Sequence, residues 1–256
     1  MSGSVRIAAA ALCLGPLAIG SLAACGASDP PRTLEVCAQT QALTKLVRSP
    51  RSQCGATADF IAINSYQGDI ADAQVREDAV VLVNGDCTGT LIAAAAGPVV
   101  LTAGHCVGLG DEELVEFNYE ERSDGDPLVT GGTVIELSSE PDYALLRLDE
   151  LPAVTPTPLT SRPTDLLAII QHPRARPKVI AEGTLAGACR DRVYYADIDT
   201  LDGSSGAGVL NRQGYLLAVH SDGDCATDGS GTNPGWSAAS IVAASGYLQP
   251  ADIADR

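Results

Sequence analysis

Leu101-Thr102-Ala103-Gly104-His105-Cys106, Pro141-Asp142-Tyr143-Ala144-Leu145-Leu146 and Asp202-Gly203-Ser204-Ser205-Gly206-Ala207-Gly208 follow one another along a 256-residue chain. Each stretch lies at the edge of a short apolar run, and each contributes one element of a nucleophilic site. A serine hydroxyl is a weak nucleophile at neutral pH. It needs a base within hydrogen-bond reach, and the base needs a third group to fix its tautomer and orientation. Histidine suits the base, because its ordinary pKa lies near operating pH, and a carboxylate suits the orienting role. Glycines on both sides of Ser205 let the chain turn tightly and bring backbone N–H groups to a developing oxyanion.

Outward from these stretches the chain is a succession of strand-length runs separated by Gly, Pro, Asn and Asp. One series is Ala79–Val83, Gly89–Ile92, Val99–Thr102, Leu114–Tyr119, Thr133–Leu137 and Tyr143–Leu148. A second is Leu166–Ile170, Lys178–Ala181, Val193–Asp197, Ala207–Leu210 and Tyr215–His220. Such spacing predicts an all-β sandwich or barrel. Leu151 to Pro163, with four prolines and no strand period, reads as a connector between two halves. Ser237 to Leu248 fits a terminal helix. No heptad, solenoid repeat or glycine-rich phosphate loop is present.

The N-terminus reads as an export signal. Met1 to Arg6 carry one positive charge, Ile7 to Gly20 are largely apolar, and Leu22-Ala23-Ala24-Cys25 supplies small residues at a cut site. The quartet resembles the bacterial lipobox, which implies that residues 1–24 are removed and Cys25 carries lipid. An ordinary signal peptide and an uncleaved anchor are the other readings, and Gly15 and Pro16 weaken the anchor. Gly26 to Thr33 is a polar tether. Leu34 to Val75 holds Cys37, Cys54, a possible short helix at Ala38–Val47 and an apolar patch at Phe60–Ile63. It is either a pro-segment or an arm packed on the main domain. The organisation expected is therefore signal 1–24, tether and arm or pro-segment 25–77, and main domain 78–256.

Composition narrows the function classes. Sixteen Lys+Arg against 32 Asp+Glu give a net charge of −16, which repels phosphate backbones and argues against nucleic-acid binding. A hydrophobic fraction of 45% is too high for a disordered acidic tail. Beyond Cys13 and Cys25, six cysteines remain, and export makes disulfides the expected state. No Cys-x-x-Cys suggests a metal or redox centre.

Taken together, Thr-Ala-Gly-His-Cys with Cys87 ahead of it, the Asp opening an apolar strand, and Gly-Ser-Ser-Gly resemble the trypsin-like, chymotrypsin-fold serine proteases from about Ala79 to Leu248. The order His, Asp, Ser is also that family's. The resemblance is closest to bacterial secreted members such as glutamyl and lysyl endopeptidases, and Ile170-Gln171-His172-Pro173 with Pro177-Lys178 is similar to them as well. It implies two packed antiparallel six-stranded β-barrels with a short C-terminal helix. It implies His105 as general base, Asp142 as its orienting partner, Ser205 as nucleophile, and the Gly203 and Ser205 N–H groups as oxyanion hole. It implies a polypeptide substrate, no cofactor and no metal. His172, in an exposed-looking Pro/Arg stretch, is taken as structural.

The sequence departs from trypsin where Ser204, not Asp, precedes the nucleophile, and no Ile-Val-Gly-Gly start lies near Ala79. Activation by a new N-terminal amine is therefore not expected. Cys87–Cys106 should bridge. Cys37–Cys54 and Cys189–Cys225 are the pairings favoured for the rest, with Cys225 to the N-terminal arm as alternative. Substrate-binding candidates are Asp199, Thr200 and His220. Asp199, six residues before Ser205, resembles the trypsin carboxylate that selects Arg or Lys. Thr200 and His220 resemble the pair that holds a substrate carboxylate in glutamyl endopeptidases. A Glu side chain about 4 Å from Asp199 would be repelled by about 4 kcal/mol at an effective dielectric of 20, which favours a basic P1. The expected protein is an exported, lipid-anchored serine endopeptidase. The competing reading is a non-catalytic binding or adhesion lipoprotein on a protease scaffold.

Overall fold

Runs such as Val99-Val100-Leu101-Thr102 become strands because branched side chains pack well on a pleated surface. Their alternation decides which core each residue joins. The computed structural model describes residues 52–254 apart from 123, 124, 126 and 190. The signal, Cys25, the tether and the possible helix at Ala38–Val47 lie outside the described residues.

Strand β1 (Ile61–Ala62) belongs to the N-terminal arm and is followed by helix α1 (Ala73–Glu77). Six strands then form a closed antiparallel barrel in the order β2-β3-β4-β7-β6-β5. They are β2 (Val80–Val83), β3 (Cys87–Ile92), β4 (Val99–Thr102), β5 (Glu112–Phe117), β6 (Leu128–Ser139) and β7 (Asp142–Leu148). The second barrel comprises β8 (Leu166–Gln171), β9 (Val179–Cys189), β10 (Arg192–Ala196), β11 (Gly208–Asn211), β12 (Leu216–His220) and β13 (Asn233–Ser237). It runs β9-β10-β13-β12-β11-β8 and closes through β8–β9, with β1 added along β9. The two six-stranded barrels and the short C-terminal helix α2 (Ala238–Ala244), whose Ser237 hydroxyl caps the Ser240 N–H, are the expected architecture.

Strands such as β2, β4 and β8 read as apolar runs because both faces are buried, whereas β5 alternates buried and exposed positions. In β4, Val100 points into the first barrel, where it joins Val81, Leu91 and Leu146. Val99 and Leu101 point the other way, into a cluster shared with Ile170, Ile180, Leu216 and Trp236 of the second barrel. In β8, Leu167 and Ile169 fill the second barrel while Ala168 and Ile170 face the first. The shared cluster fixes the barrels against each other, so groups carried on either side of it are held in a defined relation. The connector crosses this junction, with Thr157 bridging Ile92 and Leu159 bridging Leu216.

Strand β13 was not expected from the sequence. Asn-Pro-Gly-Trp-Ser carries two turn-formers, and proline is excluded from most ladders because it has no N–H. Pro234 is tolerated because β12 ends opposite Gly235, so Pro234 has a strand partner, Tyr194, on one side only.

The arm from Ser52 lies on the second barrel, with Ile63, Tyr66, Ile70 and Ala73 joining the shared core. Cys87–Cys106 is formed as expected, with Cα atoms 6.2 Å apart. The favoured Cys37–Cys54 and Cys189–Cys225 pairings are overturned, because Cys54 bonds Cys225 across 171 residues, which is the alternative in which Cys225 reaches the arm. Cys189 is also disulfide-bonded. Cys37 lies outside the described residues. Where two cysteines meet is set by how the arm wraps the barrel, which local sequence does not encode.

Candidate active site

The three motifs meet at the junction of the barrels. His105 sits in a single 3-10 turn (Gly104–Cys106) just after β4, and Asp142 opens β7, which pairs with β4. Both carboxylate oxygens of Asp142 hold the histidine. Oδ2 lies 2.7 Å from Nδ1, and Oδ1 accepts the His105 backbone N–H at 3.0 Å. A carboxylate at Nδ1 favours the tautomer protonated there, leaving Nε2 free to take a proton. The His105 pKa is raised above its usual 6.5, because the hydrogen bond its ring donates to Asp142 and the nearby negative charge outweigh partial burial.

Ser205 precedes β11. Its carbonyl accepts the Thr88 N–H at 2.9 Å. The next residue, Gly206, has φ +86°, and a Cβ there would lie 2.1 Å from both Thr102 Oγ1 and the Thr88 carbonyl. Only glycine permits this approach, and it lays the Ser205–Gly206 backbone against Thr102–Ala103, just before His105. Ser205 itself is half-buried.

The turn ahead of Ser205 is held from several directions. Ser204 N–H donates to the Leu201 carbonyl at 2.9 Å, and Ser204 Oγ accepts the Leu201 N–H at 3.0 Å. Gly203 adopts φ +89° inside that turn. Its carbonyl accepts from Thr88 Oγ1 at 2.8 Å, while the Asp202 carbonyl accepts the Arg174 N–H. With the Asp202 C=O drawn to the Arg174 loop, the trans peptide directs the Gly203 N–H the opposite way. Ser204 thus closes its own turn where trypsin-like zymogens use an Asp and a new amine. Thr88 and the Arg174 N–H are positioning groups that sequence reasoning missed. Thr88 acts through its hydroxyl and Arg174 through its backbone N–H, but the atoms they meet are backbone atoms of distant segments, which leave no residue-type signature at those partners.

The Arg174 loop also corrects the view of His172. It is fully buried, not exposed, its ring stacks on Tyr119 at 5.8 Å, and burial pushes its pKa down to about 3. Its backbone N–H donates to Thr88 Oγ1 at 3.0 Å. The side chain is structural, as expected, and the loop serves the turn before Ser205.

The substrate-binding candidates are all inaccessible. Asp199 is 1% exposed, Thr200 is fully buried and His220 is 3% exposed. The Asp199 carboxylate accepts the Cys54 N–H at 2.7 Å and the Asp59 N–H at 2.6 Å. The charge argument for a basic P1 required this carboxylate to face substrate, and the arm engages both oxygens instead. Thr200 Oγ1 meets Ser52 O and Asn233 Nδ2, each at 3.2 Å. His220 Nδ1 is hydrogen-bonded to the Tyr195 hydroxyl, and burial pushes its pKa down to about 3, so it is neutral. Next to His105, an open groove is lined by Leu137, Asp142, Arg192, Asp222 and Trp236. The Arg192 guanidinium lies 3.4 Å from the Trp236 ring centroid.

Three solved structures share the fold. The serine endoprotease from Yersinia pestis is 16% identical with a TM-score of 0.53 over 66% of this chain, which spans 61% of that protein. The MamO protease domain from Magnetospirillum magneticum is 17% identical with a TM-score of 0.53, over 66% of this chain and 96% of that one. A human pathogenic astrovirus serine protease is 18% identical with a TM-score of 0.51, over 73% and 98% respectively. No curated protein matches the chain. The family model for the trypsin-like peptidase domain matches residues 87–219, just over half of the sequence. Two closed barrels, a His-Asp pair at their junction and that match place the chain in the trypsin-like peptidase family, as a serine protease.

Proposed function

We propose that the protein is an exported serine endopeptidase working through His105, Asp142 and Ser205. The observation that carries this reading is the double anchorage of His105 on Asp142 beside the Ser205–Gly206 backbone. Ser205 Oγ attacks the scissile carbonyl while His105 Nε2 takes its proton. The Gly203 and Ser205 N–H groups stabilise the oxyanion. His105 then protonates the leaving amine, and water enters by the same route to release the acyl group. A fluorophosphonate probe should label the wild-type protein and not Ser205→Ala; equal labelling of both would sink the assignment, and no labelling of either would favour the non-catalytic alternative.

A raised His105 pKa has a kinetic consequence. The base must be neutral to act, so kcat/KM should climb with pH along a limb centred above 6.5. Asp142→Asn removes the bond that raises this pKa while partial burial continues to lower it. An NMR titration of the imidazole should then move below that of the wild type. An unchanged titration would show that Asp142 does not control His105.

The export signal supports lipid anchoring at Cys25 in the outer membrane of a two-membrane cell, since Gly26 follows and gives no Asp retention signal. Cys25→Ser should block processing or free the protein from membranes. Wild-type protein found soluble with an unmodified Cys25 would end this reading.

A further inference from the structure

Resting on Ser205 as nucleophile, we propose that Ser52 occupies the P1 side-chain pocket, making the Ser52–Asp59 arm the element that sets which residue this protease cleaves after. An acyl group on Ser205 with its oxygen at the Gly203 and Ser205 N–H groups places the P1 Cα beside the 201–204 turn. Its side chain must then enter between the segment ending at Thr200 and the one leaving β12 through Ser221, Asp222 and Gly223. That space is taken. The Ser52 carbonyl accepts from Thr200 N–H at 3.2 Å, Thr200 Oγ1 at 3.2 Å and Asn233 Nδ2 at 2.7 Å. Ser52 Oγ donates to the Thr200 carbonyl at 2.7 Å. From the opposite wall, a Cβ on Gly223 would lie 2.0 Å from Ser52 Cβ. Ser52 is therefore wedged between the two walls, and Thr200, His220 and Asn233 beneath it are shut off from solvent.

The seat is built rather than incidental. Cys54–Cys225 ties the arm to the same wall two residues on, and the Asp199 carboxylate collects the Cys54 and Asp59 N–H groups. At the pocket base Asp199, Thr200 and Asn233 each have an arm partner, and His220 is bonded to the Tyr195 hydroxyl. With the arm seated, nothing larger than glycine or alanine fits at P1. Larger side chains enter only in the fraction of molecules whose arm has left, which lowers their apparent affinity by that fraction.

The test compares wild type, Cys54→Ser and Ser52→Gly on peptides that vary only at P1. A small fluorophosphonate without a P1 group counts competent Ser205 in each sample. Per labelled site, wild type should cleave after glycine or alanine at most. Cys54→Ser, which unties the arm, should gain about tenfold or more in kcat/KM for Leu, Phe, Arg or Glu at P1. Ser52→Gly keeps the disulfide and should gain for alanine and serine alone, so it decides the matter if Cys54→Ser does not fold. Identical P1 profiles in wild type and in the folded variants would overturn the proposal. Absence of labelling in all three would remove Ser205 as nucleophile and the pocket assignment with it, an outcome distinct from normal labelling with unchanged specificity.

Discussion

Ser205→Ala and His105→Ala are each expected to slow peptide turnover by roughly 10⁴- to 10⁶-fold, and the double variant is expected to be scarcely worse than either. The reason is that the two side chains perform one act. Without the base, the hydroxyl keeps its proton; without the hydroxyl, the base has no proton to take. Free energies of such a pair do not add. Asp142→Asn should cost on the order of 10⁴-fold, because an amide at Nδ1 favours the wrong tautomer. It also removes one of two bonds that fix the ring, since Asp142 holds both the His105 imidazole and its backbone N–H. Residual activity above the uncatalysed rate should survive all three changes, sustained by the Gly203 and Ser205 N–H groups. Single-turnover rates on one peptide, measured across the four variants, check this. If the two single losses add in the double variant, the residues do not work as a unit.

These residues were legible because their chemistry demands particular neighbours. Gly206 must be glycine for the backbone to touch Thr88 and Thr102, and a strand had to begin at Asp142 for its carboxylate to face a turn leaving β4. Short apolar runs bounded by turn-formers marked eleven of the thirteen strands among the described residues. What escaped was set by tertiary contact. Asn233–Ser237 is a strand although its residues favour a turn, because β10 pairs with it on one side and β12 on the other. Asp199 has the spacing of a specificity residue, yet its carboxylate is claimed by an arm some 140 residues earlier in the chain. Lys178 opens a strand run and follows Pro177 in the family-like stretch, and neither context hints that it lies fully buried.

That lysine carries the largest expected stability effect. Lys178 Nζ donates to Glu77 Oε2 at 2.6 Å, to the Glu77 carbonyl at 2.7 Å and to Glu120 Oε1 at 3.2 Å, with all three side chains sealed from solvent. Asn64 completes the set by donating to Glu120 Oε2 at 2.6 Å. The cluster joins α1, the loop after β5 and the start of β9, so it ties the arm to the body. One cation faces two carboxylates. Burial pushes Glu77 up to about 7, whereas Glu120, also desolvated, is held below its usual range by Lys178 and Asn64. Lys178→Met keeps the volume and removes the charge, leaving both carboxyls without a counter-ion. The expected loss is about 3–5 kcal/mol, a large share of a typical domain's stability. It should appear as a lower urea midpoint with little change in slope. The deficit has a defined pH dependence. Without Lys178, burial raises both carboxyl pKa values above their unfolded 4.5. The folded variant then binds more protons than the unfolded chain, so its stability is fullest below pH 4.5 and falls as pH rises through the raised values. The triple variant Lys178→Met, Glu77→Leu, Glu120→Gln discharges the whole cluster while leaving Asn64 an acceptor, and should recover most of the loss. If Lys178→Met unfolds at the wild-type midpoint across that pH range, the buried charges contribute nothing to holding the arm on the barrel.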